Sequence, residues 1–384
     1  MRDSYCPMPW IGLNILPGSV QPCCQWKGIG EDTTKISNIN NANQLPLFVK
    51  TRQEMLEGKP IPNCEQCYNA EDAGVSSRRL EVIEQYGRPT DVDLKLLDIS
   101  FDNVCNLKCR GCTSTASHLW FHDEKNLYGK TISEEKYIDQ DFDIDVAKLE
   151  YINVSGGEPF LSKKFEMFSK IINEYNITEN IHLSISTNGT VFPPESVYTA
   201  MVNAKKLSLS ISIDGLNDMN EYYRSNSKFS ECLKVINYLK NLKELREDNS
   251  THLQIHTTVS VFNVNLLNEI EQYFKENFPQ YEYSHRILYW PQQLCIRNLP
   301  EDLKDKIRLI VESYDNRYID VLNELNAIGE DMFDHFLNFN EQLDLLRNES
   351  IKDSNPLLSD YIKNYKRKTL NSKQFLLQQM DLLK

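Results

Sequence analysis

Apolar and polar positions follow two different periods along the middle of the chain. Runs rich in Ile, Leu, Val and aromatic residues occur at 94–101 (LKLLDISF), 151–155 (YINVS), 181–187 (IHLSIST), 207–213 (LSLSISI), 253–261 (LQIHTTVSV) and 281–289 (YEYSHRILY). Short runs of this kind, several with period-two alternation, predict strands. Between most of them, residues 164–174, 194–203, 229–245 and 265–278 carry helical spacing instead. Strands alternating with helices predict βα units around a parallel sheet. Six such strands fit an open (β/α)6 barrel better than a sandwich.

The flanks differ from this rhythm. Residues 119–149 are acidic and predict an inserted loop and helix over one end of the barrel. From Glu301 the chain is polar with helical spacing, ending in Phe375-Leu376-Leu377. The expected division is a front domain at 1–90, a barrel at 91–295 and a helical extension at 296–384. No internal repeat or low-complexity tract is present.

Composition narrows the class. The 384 residues are 40% hydrophobic and 25% charged, which is globular and excludes disordered or collagen-like chains. A net charge of -13 gives no broad basic footprint for nucleic acid or anionic lipid. No apolar run approaches the ~20 residues of a membrane helix, and Met1-Arg2-Asp3-Ser4 opens no signal-peptide core. A soluble, cytoplasmic protein is expected. Ten cysteines in such a compartment point to metal ligands or reactive thiols rather than disulfides. Cys6, Cys23, Cys24, Cys64, Cys67, Cys105, Cys109 and Cys112 crowd the front of the chain; Cys232 and Cys295 lie apart.

Directly after the first strand comes Cys105-Asn106-Leu107-Lys108-Cys109-Arg110-Gly111-Cys112, a C-x3-C-x2-C spacing. Three thiolates on one tight loop suit a cubane iron–sulfur cluster with one iron left open. A closed zinc site needs a fourth ligand, for which His118 is the nearby candidate. The later strand ends carry Gly156-Gly157-Glu158-Pro159, Ser186 through Asn188-Gly189, Ser212 through Asp214-Gly215 with Arg224 downstream, and Asn263. Two glycines at a strand end let the backbone approach a ligand closely. In parallel α/β sheets, ligand sites lie at the carboxyl ends of strands, where all of these fall.

In order and placement these motifs resemble the radical S-adenosylmethionine (radical SAM) superfamily. The resemblance implies that Cys105, Cys109 and Cys112 hold a catalytic 4Fe–4S cluster. It also implies that Gly156, Gly157, Glu158, Ser186, Asn188, Ser212, Asp214 and Arg224 surround SAM, with Asn263 near the adenosine. One departure is Gly111, where the family often has an aromatic residue. An electron donor such as flavodoxin or ferredoxin is the implied partner.

The front segment has Cys6-Pro7-Met8-Pro9-Trp10, then Gly18 followed by Cys23-Cys24, then Cys64-Glu65-Gln66-Cys67. Four sulfurs could close a zinc site on composition alone. Gly-x4-Cys followed by C-x2-C also resembles the twitch domain, the shorter relative of the SPASM domain, which carries one auxiliary 4Fe–4S cluster. Arg52 through Gly58, and Cys67 through Gly74, Ser77 and Arg78, extend that likeness. The spacing favours Cys23 over Cys24 and leaves both open. Such a cluster would serve as an electron carrier or as a folding staple.

Other candidates have plainer readings. Cys295 could return a hydrogen atom to a substrate radical, but a small buried thiol is the expected role. Cys232 belongs to an apolar helix face, and His256 is expected as a hydrogen-bonded structural histidine rather than a lumenal acid or base. The run Asp139–Asp145 is expected as a solvated face. The functional expectation is a radical SAM enzyme that modifies a peptide or protein. Radical oxidation or rearrangement of a small molecule (a sugar, aminoglycoside or nucleotide precursor) is the rival. A non-catalytic metal-binding interaction protein on a decayed scaffold is the alternative from another class.

Overall fold

The computed structural model describes residues 3–28, 30–32, 39–72, 76–129, 131, 145–246, 250–314, 316–352 and 354–367. Gly74, most of the acidic run at 139–145 and the terminal Phe375-Leu376-Leu377 lie outside them. The strands are β1 (Gly12–Leu16), β2 (Ser19–Gln21), β3 (Glu31–Asp32), β4 (Leu96–Ser100), β5 (Lys108–Cys109), β6 (Tyr151–Ser155), β7 (His182–Thr187), β8 (Lys206–Ser212), β9 (Arg224–Ser225), β10 (Thr251–Val259) and β11 (Glu282–Ile287). Nine join one sheet in the order β11-β10-β8-β7-β6-β4-β1-β2-β3.

The six expected strands are β4, β6, β7, β8, β10 and β11, each parallel to its neighbour in chain order. The helices Lys163–Glu174, Glu195–Asn203, Phe229–Leu239 and Leu267–Asn277 stand between strands, close to the expected ranges. This is the α/β architecture of a partial (β/α)6 barrel. Its outer strand face is apolar: Ile152, Val154, Leu183, Ile185, Leu207, Leu209 and Ile255 join one core with Phe165, Phe168, Ile172, Val197 and Phe274 of the helices.

The inner face is built differently. Asp98, Asn153, Ser184, Ser208 and His252 form one register row across five strands. Ser186, Ser210 and Gln254 form a second, and Ser212, His256 and Ser284 a third. A closed (β/α)8 barrel fills its interior with bulky branched residues. Small polar side chains, most of them half-buried or exposed, leave room for a polar molecule instead.

Two features go beyond the sequence reading. The front segment continues the sheet: β1 pairs in parallel with β4, from Gly12 opposite Leu96 to Ile15 opposite Ile99, and β2 and β3 extend it antiparallel. The tail is helical as expected, with helices Glu301–Glu312, Ile319–Asn326, Phe333–Arg347 and Pro356–Asn364. It is not a polar appendage, however. Phe333, Phe336, Phe339 and Leu343 form a second core with Trp120, Tyr222, Tyr223 and Phe262, at the carboxyl ends of the strands. The helix Trp120–Tyr128 lies within the predicted insertion. Among the described residues, no helix is long and apolar enough to cross a membrane.

Candidate cofactor site

The chain leaves β4 through Phe101-Asp102-Asn103-Val104 and turns into the cysteine loop. Asp102 Oδ1 accepts from the Val104 amide at 3.1 Å and Oδ2 from Ser162 Oγ at 2.5 Å, fixing the exit. His118 Nδ1 accepts from the Cys105 amide at 3.2 Å, so this histidine orients the loop. Cys105, Leu107 and Cys109 are buried together, with Cys112 packed against them. Burial pushes the Cys105 thiol up to about 12, and Cys109 adds to the rise. A hydrogen bond between Cys112 and Cys109 raises Cys112 well above an ordinary thiol and lowers Cys109. Two buried thiols held from ionising, beside a third, gain most from a shared cation, whose binding releases their protons.

The two glycines also make room within the chain itself. A Cβ on Gly157 would lie 2.1 Å from Val104 O, and one on Gly156, whose φ is +119°, 2.2 Å from Ser100 Oγ. They admit the cysteine loop's own backbone, and the amides of Gly157 and Glu158 donate to Asp102 O and Val104 O at 3.2 and 2.7 Å. Gly157→Ala is therefore expected to cost about 1–3 kcal/mol through overpacking against backbone. Urea unfolding checks it, and an unchanged midpoint contradicts it.

Glu158 is buried, and its carboxylate accepts from Phe160 N (3.1 Å), Thr187 Oγ1 (2.7 Å) and Asn188 N (2.7 Å). Burial raises its pKa, while these bonds pull it down. It thus holds the end of β7 against the end of β6. Asn188 Nδ2 reaches Asn106 Oδ1 at 2.9 Å and Cys105 Sγ at 3.8 Å. Ser186 and Ser212 stand on the inner barrel face.

Asp214 and Arg224 complete the arrangement. Arg224 Nη2 lies 2.7 Å from Asp214 Oδ2, both side chains being buried. The short ribbon of β5 and β9 sets Arg224 directly opposite Cys109. Burial works against the Arg224 charge, but Asp214, Cys109, Tyr223 and Cys112 outweigh it and raise its pKa. Its Nε is buried without a partner, a donor left over for an anionic group. Asp214 Oδ1 accepts from Thr258 N at 2.7 Å, linking β8 to β10.

These residues meet where the family comparison falls. Residues 99–257 match the family model of the Radical SAM superfamily. The match covers that segment alone, and the family it resembles implies SAM and a 4Fe–4S cluster. The chain is 26% identical over 199 residues to a probable GTP 3',8-cyclase of Methanocaldococcus jannaschii, covering 50% of this chain and 58% of that one. It is 25% identical over 189 residues to the mycofactocin maturase MftC of Mycolicibacterium smegmatis, covering 49% and 43%. The chain thus spans about half the length of these curated relatives, which are named as enzymes. A crystal structure of Streptococcus suis SuiB bound to precursor peptide SuiA aligns over 76% of this chain and 55% of that one, at 13% identity and a TM-score of 0.37.

Ahead of the matched segment, the front cysteines divide into two groups. Burial pushes Cys6 and Cys64 each up to about 12 and Cys23 well above the ordinary value. Cys67 adds to the shift of Cys6 and of Cys64, and Cys6, Cys24 and Cys64 add to that of Cys23. Cys23 and Cys64 pack against the core cluster that includes Cys6. Cys24 is exposed, and its other partners are Asp98 and Arg78, on the barrel side. Arg79 braces the group, donating to Glu71 Oε1 at 2.9 Å and Tyr5 O at 2.8 Å. Arg52 ties Pro9 O to Asn43 O at 2.9 and 2.7 Å. Among the described residues, no three His, Cys, Asp or Glu side chains are gathered to hold a single metal ion.

The structure places the remaining candidates as follows. Asn263 is buried and its amide donates to Asp214 O and Thr258 O, closing a turn. Cys295 is buried with its thiol toward Pro291 O at 3.4 Å, and Cys232 is core. His256 Nδ1 shares a hydrogen bond with Ser284 Oγ at 2.8 Å. Arg110 and Tyr223 carry no sequence signal of their own, because each acquires its role through residues distant in the chain.

Proposed function

We propose that the protein is a radical SAM enzyme whose Cys105, Cys109 and Cys112 hold the catalytic cluster. Cys6, Cys23, Cys64 and Cys67 hold a second, auxiliary cluster in a twitch-like front region. The observation that carries the first part is Arg224, buried opposite Cys109 with one donor unpartnered. It supports a bound anionic group beside the cysteine loop, such as the SAM carboxylate. Bound there, the cluster supplies the electron that cleaves SAM to methionine and a 5′-deoxyadenosyl radical able to abstract a substrate hydrogen. The chain's own contribution is orientation: Asp214 steadies Arg224, Glu158 fixes the end of β7, and Asn188 ties that end to Cys105.

For the substrate, a peptide or protein is the first reading, in line with the relative named as a maturase. A polar small molecule is the second, favoured by the serine-lined inner face and by the relative named as a GTP cyclase. A mixture of peptides and nucleotide sugars, scored for SAM-dependent mass change, separates them.

Iron and sulfide per chain after anaerobic reconstitution, with 5′-deoxyadenosine release under dithionite, test the whole reading. About eight irons with release is the expected result. About four with release removes the auxiliary cluster. Zinc without iron or release overturns the enzyme.

A further inference from the structure

Gly111 lies inside the cysteine loop, one residue before Cys112, and a side chain at this position has no room. A Cβ on Gly111 would stand 2.3 Å from the hydroxyl oxygen of Tyr223. Tyr223 is 2% exposed, its ring set edge-on to Phe262 with centroids 5.4 Å apart, so the hydroxyl cannot swing away. Its backbone is fixed too, since the Arg110 amide donates to Tyr223 O at 2.8 Å. Because Gly111 is flanked by Arg110 and Cys112, the Tyr223 hydroxyl is set against the x2 arm of the loop, between the positions of its two cysteines.

The Cys105 arm already has such donors: the Leu107 amide reaches Cys105 Sγ at 3.4 Å, and Asn188 Nδ2 at 3.8 Å. Hydrogen bonds to the sulfurs of an iron–sulfur cluster stabilise its reduced, more negative state and raise its potential.

We propose that Tyr223 is a positioning residue whose hydroxyl donates toward the sulfurs of the Cys109–Cys112 arm, and that Gly111 is glycine in order to admit it. This rests on the reading of Cys105, Cys109 and Cys112 as cluster ligands. The phenol neither touches the reacting carbon nor exchanges a proton. It sets the driving force for the electron that the loop delivers, and the pair Gly111–Tyr223 works as a unit.

The test uses the full chain, anaerobically reconstituted, with the midpoint potential read by EPR on the signal that SAM perturbs. Tyr223→Phe removes only the hydroxyl; the midpoint is expected to move to more negative potential with iron per chain unchanged. Gly111→Ala is expected to lose iron at the same loop, and the double variant Gly111→Ala/Tyr223→Phe to recover it. A Tyr223→Phe chain with full iron and an unmoved midpoint overturns the assignment while leaving the cluster reading intact. If Tyr223→Phe itself loses iron, Gly111→Ala decides: full iron and a native midpoint in that variant overturn the assignment. A native chain that takes up no iron overturns the cluster reading and this assignment with it.

Discussion

Arg110→Met is expected to destabilise the chain by about 3 kcal/mol, the low end for breaking a buried ion pair. Arg110 sits between Cys109 and Cys112 and its side chain is 0% exposed. The guanidinium lies 3.9 Å from the Tyr222 ring centroid. It donates to Tyr222 O (3.0 Å), Asn340 Oδ1 (2.6 Å), Asp344 Oδ1 (2.5 Å) and Glu349 Oε2 (2.7 Å). Methionine keeps most of the volume but strands two carboxylates. These are 19% and 23% exposed, so water softens the loss, which is why the low end applies. Beside this clamp, Arg347 of the same helix pairs with Asp123 and donates to Lys108 O and Ser225 Oγ at 2.8 Å each, gripping both strands of the β5–β9 ribbon.

The helix Phe333–Arg347 therefore holds the cysteine loop from outside. The urea midpoint is expected to fall with an unchanged slope, and iron retained after desalting to fall with it. Adding Asp344→Asn and Glu349→Gln to Arg110→Met is expected to restore part of the stability, since the stranded charges are then gone. An unchanged midpoint for Arg110→Met would mean that the tail does not brace the loop.

The clamp also marks the limit of what the sequence makes legible. The barrel strands can be read because their outer positions alternate with polar ones, as in LSLSISI of β8. The cysteine loop can be read because its spacing is local. The side-chain hydrogen-bond partners of Arg110, Asn340, Asp344 and Glu349, lie more than 200 residues away in sequence, and no local period announces them. The tail reads as polar because its inward stripe contains buried Asp334, His335 and Asn340 alongside the phenylalanines, diluting the apolar signal. The run GLNIL of β1 is five residues long and lacks a following crossover helix of the βα type, so nothing sets it apart from a loop. At Gly156 and Gly157 the motif points to an approach to ligand, and it gives no sign that the missing side chains also make space for Ser100 and for Asp102 through Val104.

Cys105→Ala should abolish 5′-deoxyadenosine release and remove about four of about eight irons per chain. The loss should be complete rather than graded, because two protein thiolates leave two of the four irons without a protein ligand, too few to retain the cluster. The folded barrel should survive, since Cys105 contributes one small side chain beside Leu107 and Cys109 while β4 is held by β1 and β6 on either flank. Cys64→Ala is the informative contrast. It too should remove about four irons, but it acts on the group of Cys6, Cys23 and Cys67, which lies before β1 and after β2, whereas the loop follows β4. SAM cleavage under dithionite should therefore persist in that variant, and any loss should fall on conversion of substrate. Cys24→Ala should change neither iron count, because its thiol faces Asp98 and Arg78 instead of converging with Cys6 and Cys64. Iron lost from Cys24→Ala and kept in Cys23→Ala would reverse that assignment. Release surviving in Cys105→Ala would remove the loop from the chemistry altogether. Cys105→Ala and Cys64→Ala together separate the two sulfur groups by function, since one group should govern SAM cleavage and the other only the later turnover of substrate.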